Sequence, residues 1–187
     1  TRRINSLSFN SQTLALGVSQ DVTDSIKNNI HPDIPVRTLL NGINTDSFVR
    51  VGDDRVRKKY GIPPAAIVIG TIAVFRFQKR LVQWLEAFKE ITHQHPSVYG
   101  IIVGAGPLED EIKQAHQKLG LEGKVFFPGL QTDVKPYQEA MDIFMMSSSF
   151  EGLPLALLEA MSMNCAVVAT RAGGIKEVIR HEQDGLT

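Results

Sequence analysis

The sequence predicts an α/β fold, an open parallel sheet with helices on both faces. Three observations lead there. Short apolar runs alternate with helix-period segments along most of the chain. Those runs are continuously apolar rather than alternating, as expected of strands covered by helices on both sides. The connections are short and carry Gly, Pro, Asn or Ser, which suits right-handed strand–helix–strand crossovers. The chain has 187 residues, of which 43% are hydrophobic, enough for one domain or one and a piece with a real core.

The elements follow in order. Residues 13–18 read as a strand, after which Ser19 caps a helix over residues 20–29. Residues 36–40 form a second short strand, ended by the turn Asn41-Gly42-Ile43-Asn44. A helix over residues 54–60 stops at Gly61. Strands are then expected at 67–74, 98–103, 124–127, 143–146 and 166–170. The intervening helices fall at 81–92, 108–119, 134–140 and 155–163, with a last one at 175–179. Ligands of open α/β sheets bind outside the carboxyl ends of the strands. That rule selects the loops at 75–79, 104–107, 129–133, 147–154 and 171–174.

Bulk properties remove several function classes. Lys+Arg 20 against Asp+Glu 20 leaves no net charge, so the electrostatic footprint of a nucleic-acid binder is missing. Arg55, Arg57, Lys58 and Lys59 read as the solvated face of a short helix with Asp53 and Asp54 at its start. The single cysteine, Cys165, adjoins an apolar strand and reads as a structural thiol of a reducing compartment. No apolar run reaches the roughly 18 residues of a membrane span, and no signal peptide is visible.

The richest stretch runs from Phe150 to Met161. Glu151 stands in a loop, Pro154 suits a first helical turn, and Glu159 lies among Leu155, Ala156, Leu157, Leu158, Ala160 and Met161. A helix apolar all round is expected to be buried. An ionised carboxylate there needs a buried cation or a ligand hydroxyl as partner. After the first core strand comes Phe75-Arg76-Phe77-Gln78-Lys79-Arg80, where a guanidinium fork and an ammonium suit phosphate oxygens.

The remaining loop motifs are less specific. Gly104-Ala105-Gly106-Pro107 lacks the third glycine of a dinucleotide fingerprint, where Glu109 stands, and no acid closes the next strand. A tight turn with Pro107 at the helix start explains these glycines without a cofactor. Arg171-Ala172-Gly173-Gly174 precedes a helix and reads either as an anion-binding amino terminus or as a turn needing positive φ. The five histidines show no metal-ligand spacing.

Glu151 and Glu159, with seven residues between them, match the E-x7-E motif of retaining glycosyltransferases of the GT-B fold. The flanking Ser147-Ser148-Ser149-Phe150-Glu151-Gly152-Leu153-Pro154 and Glu159-Ala160-Met161 resemble glycosyltransferase family 4, the glycosyl transferases group 1. Similar to that family, in the same order, are Asn41-Gly42-Ile43-Asn44, Val103 to Pro107, Phe127-Pro128-Gly129, Val167 to Thr170 and Gly173 to Val178.

The resemblance implies a Rossmann-like carboxy-terminal domain over residues 41–187 that binds a nucleoside-diphosphate-sugar donor. Residues 1–40 would be the remnant and hinge of an amino-terminal acceptor domain, with the closing carboxy-terminal helices missing. Arg76 and Lys79 would neutralise the diphosphate leaving group. Glu159 would accept hydrogen bonds from the ribose hydroxyls. Glu151 would sit by the transferred sugar as nucleophile, electrostatic support or positioning group. Amides of Gly152, Leu153 and Leu155 would reach sugar and phosphate, and Leu130 and Gln131 would lie beside the base. Gly173 and Gly174 complete the expected donor contacts.

No cofactor and no metal are expected. The implied acceptor is a glycan, a lipid or a small molecule bound through the other domain. The implied location is cytoplasmic, with peripheral contact to a membrane's inner face left open. This fragment alone would be inactive. The pattern departs from the family where Arg76 stands three residues before Lys79 instead of five, and where Arg80 replaces a common glycine. A non-catalytic nucleotide-sugar-binding subunit and a GT-B epimerase remain as alternatives.

Overall fold

The structure is a computed structural model that describes residues 14–30 and 35–187. Thr13 and His31 lie outside the described residues. Among the described residues there are two parallel sheets. The small one pairs β1 (Ala15–Gly17) with β2 (Val36–Thr38), joined through α1 (Gln20–Asn29). Ser19 caps α1 as expected, its hydroxyl accepting from the Val22 amide at 3.2 Å.

The large sheet has five strands, all parallel: β3 (Val68–Ile72), β4 (Tyr99–Val103), β5 (Val125–Gly129), β6 (Ile143–Met146) and β7 (Ala166–Ala169). Their spatial order is β5-β4-β3-β6-β7. The chain therefore moves outward from β3 in one direction, then returns and continues in the other. The helices are α2 (Arg55–Lys59), α3 (Leu81–Gln94), α4 (Glu109–Lys118), α5 (Lys135–Ala140), α6 (Leu155–Ser162) and α7 (Ile175–Val178), with a 3-10 turn at Phe77–Lys79.

Neighbouring strand residues point to opposite faces, and the core divides accordingly. Val68, Ile101, Phe144 and Val167 pack with Met141, Leu157, Met163 and Ile175 on one face. Ile69, Ile102 and Met145 pack with Trp84, Leu85, Phe88 and Ile112 on the other. Trp84 is fully buried, and its indole N–H donates to the Met145 carbonyl at 3.0 Å, so its one polar atom is satisfied. These two apolar layers explain why the strands read as unbroken runs.

Several expectations change in detail. Arg57 does not belong to a solvated face. Its side chain is 15% exposed, donates to Asp142 at 2.8 Å and to the Ala66 carbonyl at 2.8 Å, and so pins α2 to the sheet. Arg55 and Lys58 do remain in exposed pairs with Asp53 and Asp54. Pro107 lies before α4, which opens at Glu109, and Pro154 is the residue capping α6 from outside the helix. Cys165 is buried, and burial raises its thiol pKa against the opposing pull of Arg50, in keeping with a structural role.

The expectation of a wholly buried helix at 155–163 also changes. In α6, Leu157 and Ala160 are buried, but Leu155 is 47% exposed and Glu159 is half-buried. The helix is amphipathic by position rather than by polarity. Its apolar outer residues line a crevice instead of a core.

Candidate active site

The order β5-β4-β3-β6-β7 places a topological switch point between β3 and β6, where the connections leave in opposite directions. The loops after these two strands are laced together there. Ser147 donates to the carbonyls of Lys79 (2.8 Å) and Arg80 (2.9 Å), and the Ser149 amide donates to the Gln78 carbonyl at 2.8 Å.

That lacing brings Lys79 Nζ to 2.6 Å from Glu151 Oε1, with side chains 18% and 10% exposed. Ser148 Oγ donates to the same oxygen at 2.6 Å. Glu151 Oε2 has no hydrogen-bond partner among the described residues, so one carboxylate oxygen is held and the other is available.

The pair borders a cleft of about 390 Å3 whose walls include Val74, Leu130, Gln131, Pro154 and Leu155. Among the described residues Lys79 is the one cation lining it. The amino end of α6 opens on the cleft, and no side chain caps its first amides. That end carries partial positive charge. Leu130 is 78% exposed, and Gln131 is fixed by donating to the Pro128 carbonyl at 2.8 Å. The cleft thus joins an ammonium, a part-free carboxylate, bare helix amides and an apolar wall.

Other predicted residues are placed differently. Arg76 is exposed and lines a separate hollow of about 350 Å3 with Arg80, Leu108 and Glu111, away from the Lys79–Glu151 cleft. The position five residues before Lys79 is Val74, which does line the cleft. Gly173 has φ +52, and a Cβ there would strike the Glu151 carbonyl, while the Gly174 amide donates to the Gly152 carbonyl at 2.8 Å. These two glycines therefore buttress the Glu151 loop from behind. Leu153 is buried, and its carbonyl accepts from the Asn41 side chain at 2.7 Å.

Gly104 resolves the glycine-rich turn. Its φ is +133 and a Cβ would collide with the Ala73 carbonyl, so the glycine allows the β4 loop to press on the β3 loop.

Glu159 lies just under one helix turn beyond Ala156, which lines the cleft. It meets no internal arginine or lysine among the described residues. Its Oε2 accepts from Gln138 Nε2 at 3.2 Å. Burial raises its carboxyl pKa above the ordinary 4.5, and the Gln138 hydrogen bond offsets part of that rise. Gln138 is itself fully buried, and its Oε1 has no hydrogen-bond partner among the described residues. A buried amide oxygen without a donor beside a half-paired carboxylate is an unfinished polar site. Sequence reading gave no individual role to Gln138, Ser148, Val74 or Asn41. Ser148 and Asn41 stood inside the family-like segments and Val74 stands five residues before Lys79, whereas Gln138 carried no signal.

The family model for glycosyl transferases group 1 matches residues 52–187. The chain belongs to that family. This group 1 glycosyltransferase chain is 30% identical over 168 residues to the N-acetyl-alpha-D-glucosaminyl L-malate synthase of Bacillus anthracis, covering 90% of the chain and 44% of that protein. It is 31% identical over 162 residues to the lipopolysaccharide core biosynthesis mannosyltransferase LpsB of Rhizobium meliloti, covering 82% of the chain and 46% of that protein. The chain spans less than half the length of these relatives.

Solved structures confirm the fold. The Anabaena HepE protein in complex with UDP-glucose superposes with TM-score 0.87 at 23% identity, over 98% of this chain and 52% of that one. Sucrose-phosphate synthase from Thermosynechococcus elongatus gives 0.84 at 20% identity, over 98% and 47%. The domain is thus α/β with the GT-B type of sheet. No helix among the described residues is long and apolar enough to cross a membrane.

Proposed function

We propose that this chain carries the donor site of a retaining, family 4 glycosyltransferase that moves a sugar from a nucleoside-diphosphate sugar to a glycan, lipid or small-molecule acceptor. The observation that carries the reading is the Lys79–Glu151 contact across the switch point, beside the uncapped end of α6. A diphosphate seated there meets the ammonium and the first α6 amides, including that of Leu155, so charge that develops on the leaving oxygen is stabilised where it appears.

The bond between the anomeric carbon and the diphosphate oxygen breaks, its electron pair leaving on the diphosphate. An acceptor hydroxyl oxygen then bonds to the anomeric carbon on the same face, its proton passing to the departing diphosphate oxygen. The free oxygen of Glu151 faces the sugar, together with the amides of Gly152 and Leu153. Glu159, oriented by Gln138, provides an acceptor for ribose hydroxyls, with Leu130 and Gln131 beside the base. The reading calls on no metal, because Lys79 and helix amides supply the positive charge.

In this reading residues 41–187 form the donor domain, and residues 1–40 are the end of an acceptor domain and its hinge. The location proposed is cytoplasmic, with the acceptor half as the route for any contact with a membrane face. HepE bound to UDP-glucose and the similarity to a mannosyltransferase support the donor class. One observation favours a second reading, a non-catalytic nucleotide-sugar-binding subunit. Val74 occupies the place of the family's usual arginine, leaving a single cation in the cleft.

A thermal-shift panel of uridine, guanosine and adenosine diphosphate sugars tests the proposal. One nucleotide class is expected to stabilise the chain, and Lys79→Ala is expected to abolish the shift. Identical shifts in wild type and Lys79→Ala would refute the site. Transfer by this chain alone would refute the division into donor and acceptor halves.

A further inference from the structure

The first amides of α1 are satisfied from the far end of the chain. A helix leaves its first four N–H groups without partners inside the helix. In α1, Ser19 Oγ takes the Val22 amide, and the carboxylate of Glu177 takes two more. Gln20 N–H donates to Glu177 Oε2 at 2.8 Å and Asp21 N–H donates to Glu177 Oε1 at 3.0 Å. Lys176 Nζ adds an ion pair to Asp21 at 2.8 Å. Glu177 lies on α7, 157 positions from Gln20. A carboxylate bridging two amides at the positive end of a helix is the favoured polarity of such a contact.

This cap fixes a contact with the donor loop. Ser19 is 0% exposed, and a Cβ added to Gly174 would stand 2.7 Å from its Cβ. A Cβ on Gly152 would stand 2.8 Å from Val18 Cγ2. Gly174 in turn holds the Gly152 carbonyl through its amide. The Val18–Ser19 turn is therefore pressed onto the loop that carries Glu151, Gly152 and Leu153, and glycines occupy the touching positions because nothing larger fits.

We infer that Glu177 is a positioning residue, a latch whose capping of α1 holds the Val18–Ser19 turn against Gly152 and thereby orders the Gly152–Leu155 wall of the donor cleft. The carboxylate and the Lys176–Asp21 pair are reached by solvent, so each contact is individually modest and salt-screened. A latch of that strength opens and closes, unlike a core contact. The inference rests on the donor-site reading only for the identity of the ligand.

Hydrogen exchange on the unliganded chain tests the coupling without any ligand. Glu177→Ala is expected to speed exchange about fivefold, the scale of one lost cap, both at residues 20–22 and at 152–155. Strands β3 and β4 should remain unchanged. Glu177→Gln, which keeps one good acceptor oxygen, should fall between. Lys113→Ala, which removes an exposed ion pair with Glu109 on α4, should have no effect at either segment. Binding of whichever of UDP, GDP and ADP the wild type takes, measured by calorimetry, should weaken about three- to tenfold in Glu177→Ala, and the difference from wild type should shrink at high salt.

Faster exchange confined to residues 20–22 would make the cap purely local and overturn the latch, and uniform loosening of β3 and β4 would do the same. Wild-type failure to bind any of UDP, GDP and ADP would count against the donor reading, and the exchange pattern alone would then decide the latch.

Discussion

Lys79 Nζ and Glu151 Oε1 meet at 2.6 Å although the residues are 72 positions apart, one following β3 and the other following β6. The contact exists because β3 and β6 are adjacent while their connections diverge. In the proposed donor site, a diphosphate approaching Lys79 would compete with Glu151 and release the carboxylate toward the sugar.

Breaking this pair from one side should be costly. Lys79→Ala leaves Glu151, 10% exposed, with Ser148 as its remaining donor. A loss of about 1.5–3 kcal/mol is expected, the usual scale for a charge-assisted hydrogen bond. Glu151→Gln keeps the shape and should cost less. In a double-mutant cycle read by urea unfolding, the two changes should fall well short of additive. Additive losses would mean that the two side chains do not meet.

Glu159→Gln should raise stability while it weakens donor binding. Burial raises the Glu159 pKa, so its contribution to stability is greatest below the ordinary carboxylate range and is lost as pH rises through the raised value. At neutral pH the ionised group is a small cost, and its removal should lift Tm by about 1–2 °C, limited by solvent screening of a half-buried group. Donor affinity of the wild type should rise with pH across the same window, because ribose hydroxyls donate to the ionised form. Calorimetric titration at several pH values would show this slope, and Glu159→Gln should flatten it. A pH-independent wild type would remove Glu159 from the ligand site.

Val74→Arg should tighten binding of a nucleoside diphosphate about three- to tenfold. Val74 is 51% exposed and lines the cleft five residues before Lys79. A guanidinium there adds a second cation to one that now acts alone. Arg76→Ala, by contrast, should leave affinity close to wild type, because Arg76 lines the neighbouring hollow. Strong loss in Arg76→Ala would place its side chain on the phosphates after all.

Much was legible in the sequence because it depended on local periodicity. The five core strands, the helices between them and the cap at Ser19 follow from apolar spacing and from residue types with known backbone preferences. The position of Glu151 after one core strand and of Lys79 after another directed attention to the carboxyl ends of the sheet, where the structure brings these two residues together.

What the tertiary structure alone decided is which side chains face one another. Strand order is not written in any local window, so the sequence could not tell that Lys79 would meet Glu151, that Arg57 would turn inward to Asp142, or that Glu177 would reach α1. Nor could it separate Arg76 from Lys79. Across a single 3-10 turn at Phe77–Lys79, with Arg80 at φ 51 behind it, neighbouring cations enter different hollows, Lys79 one and Arg76 with Arg80 the other. Periodicity determines which residues are buried in an element. The backbone path between elements, fixed only when the sheet closes, determines where the charged ends of the remaining side chains arrive.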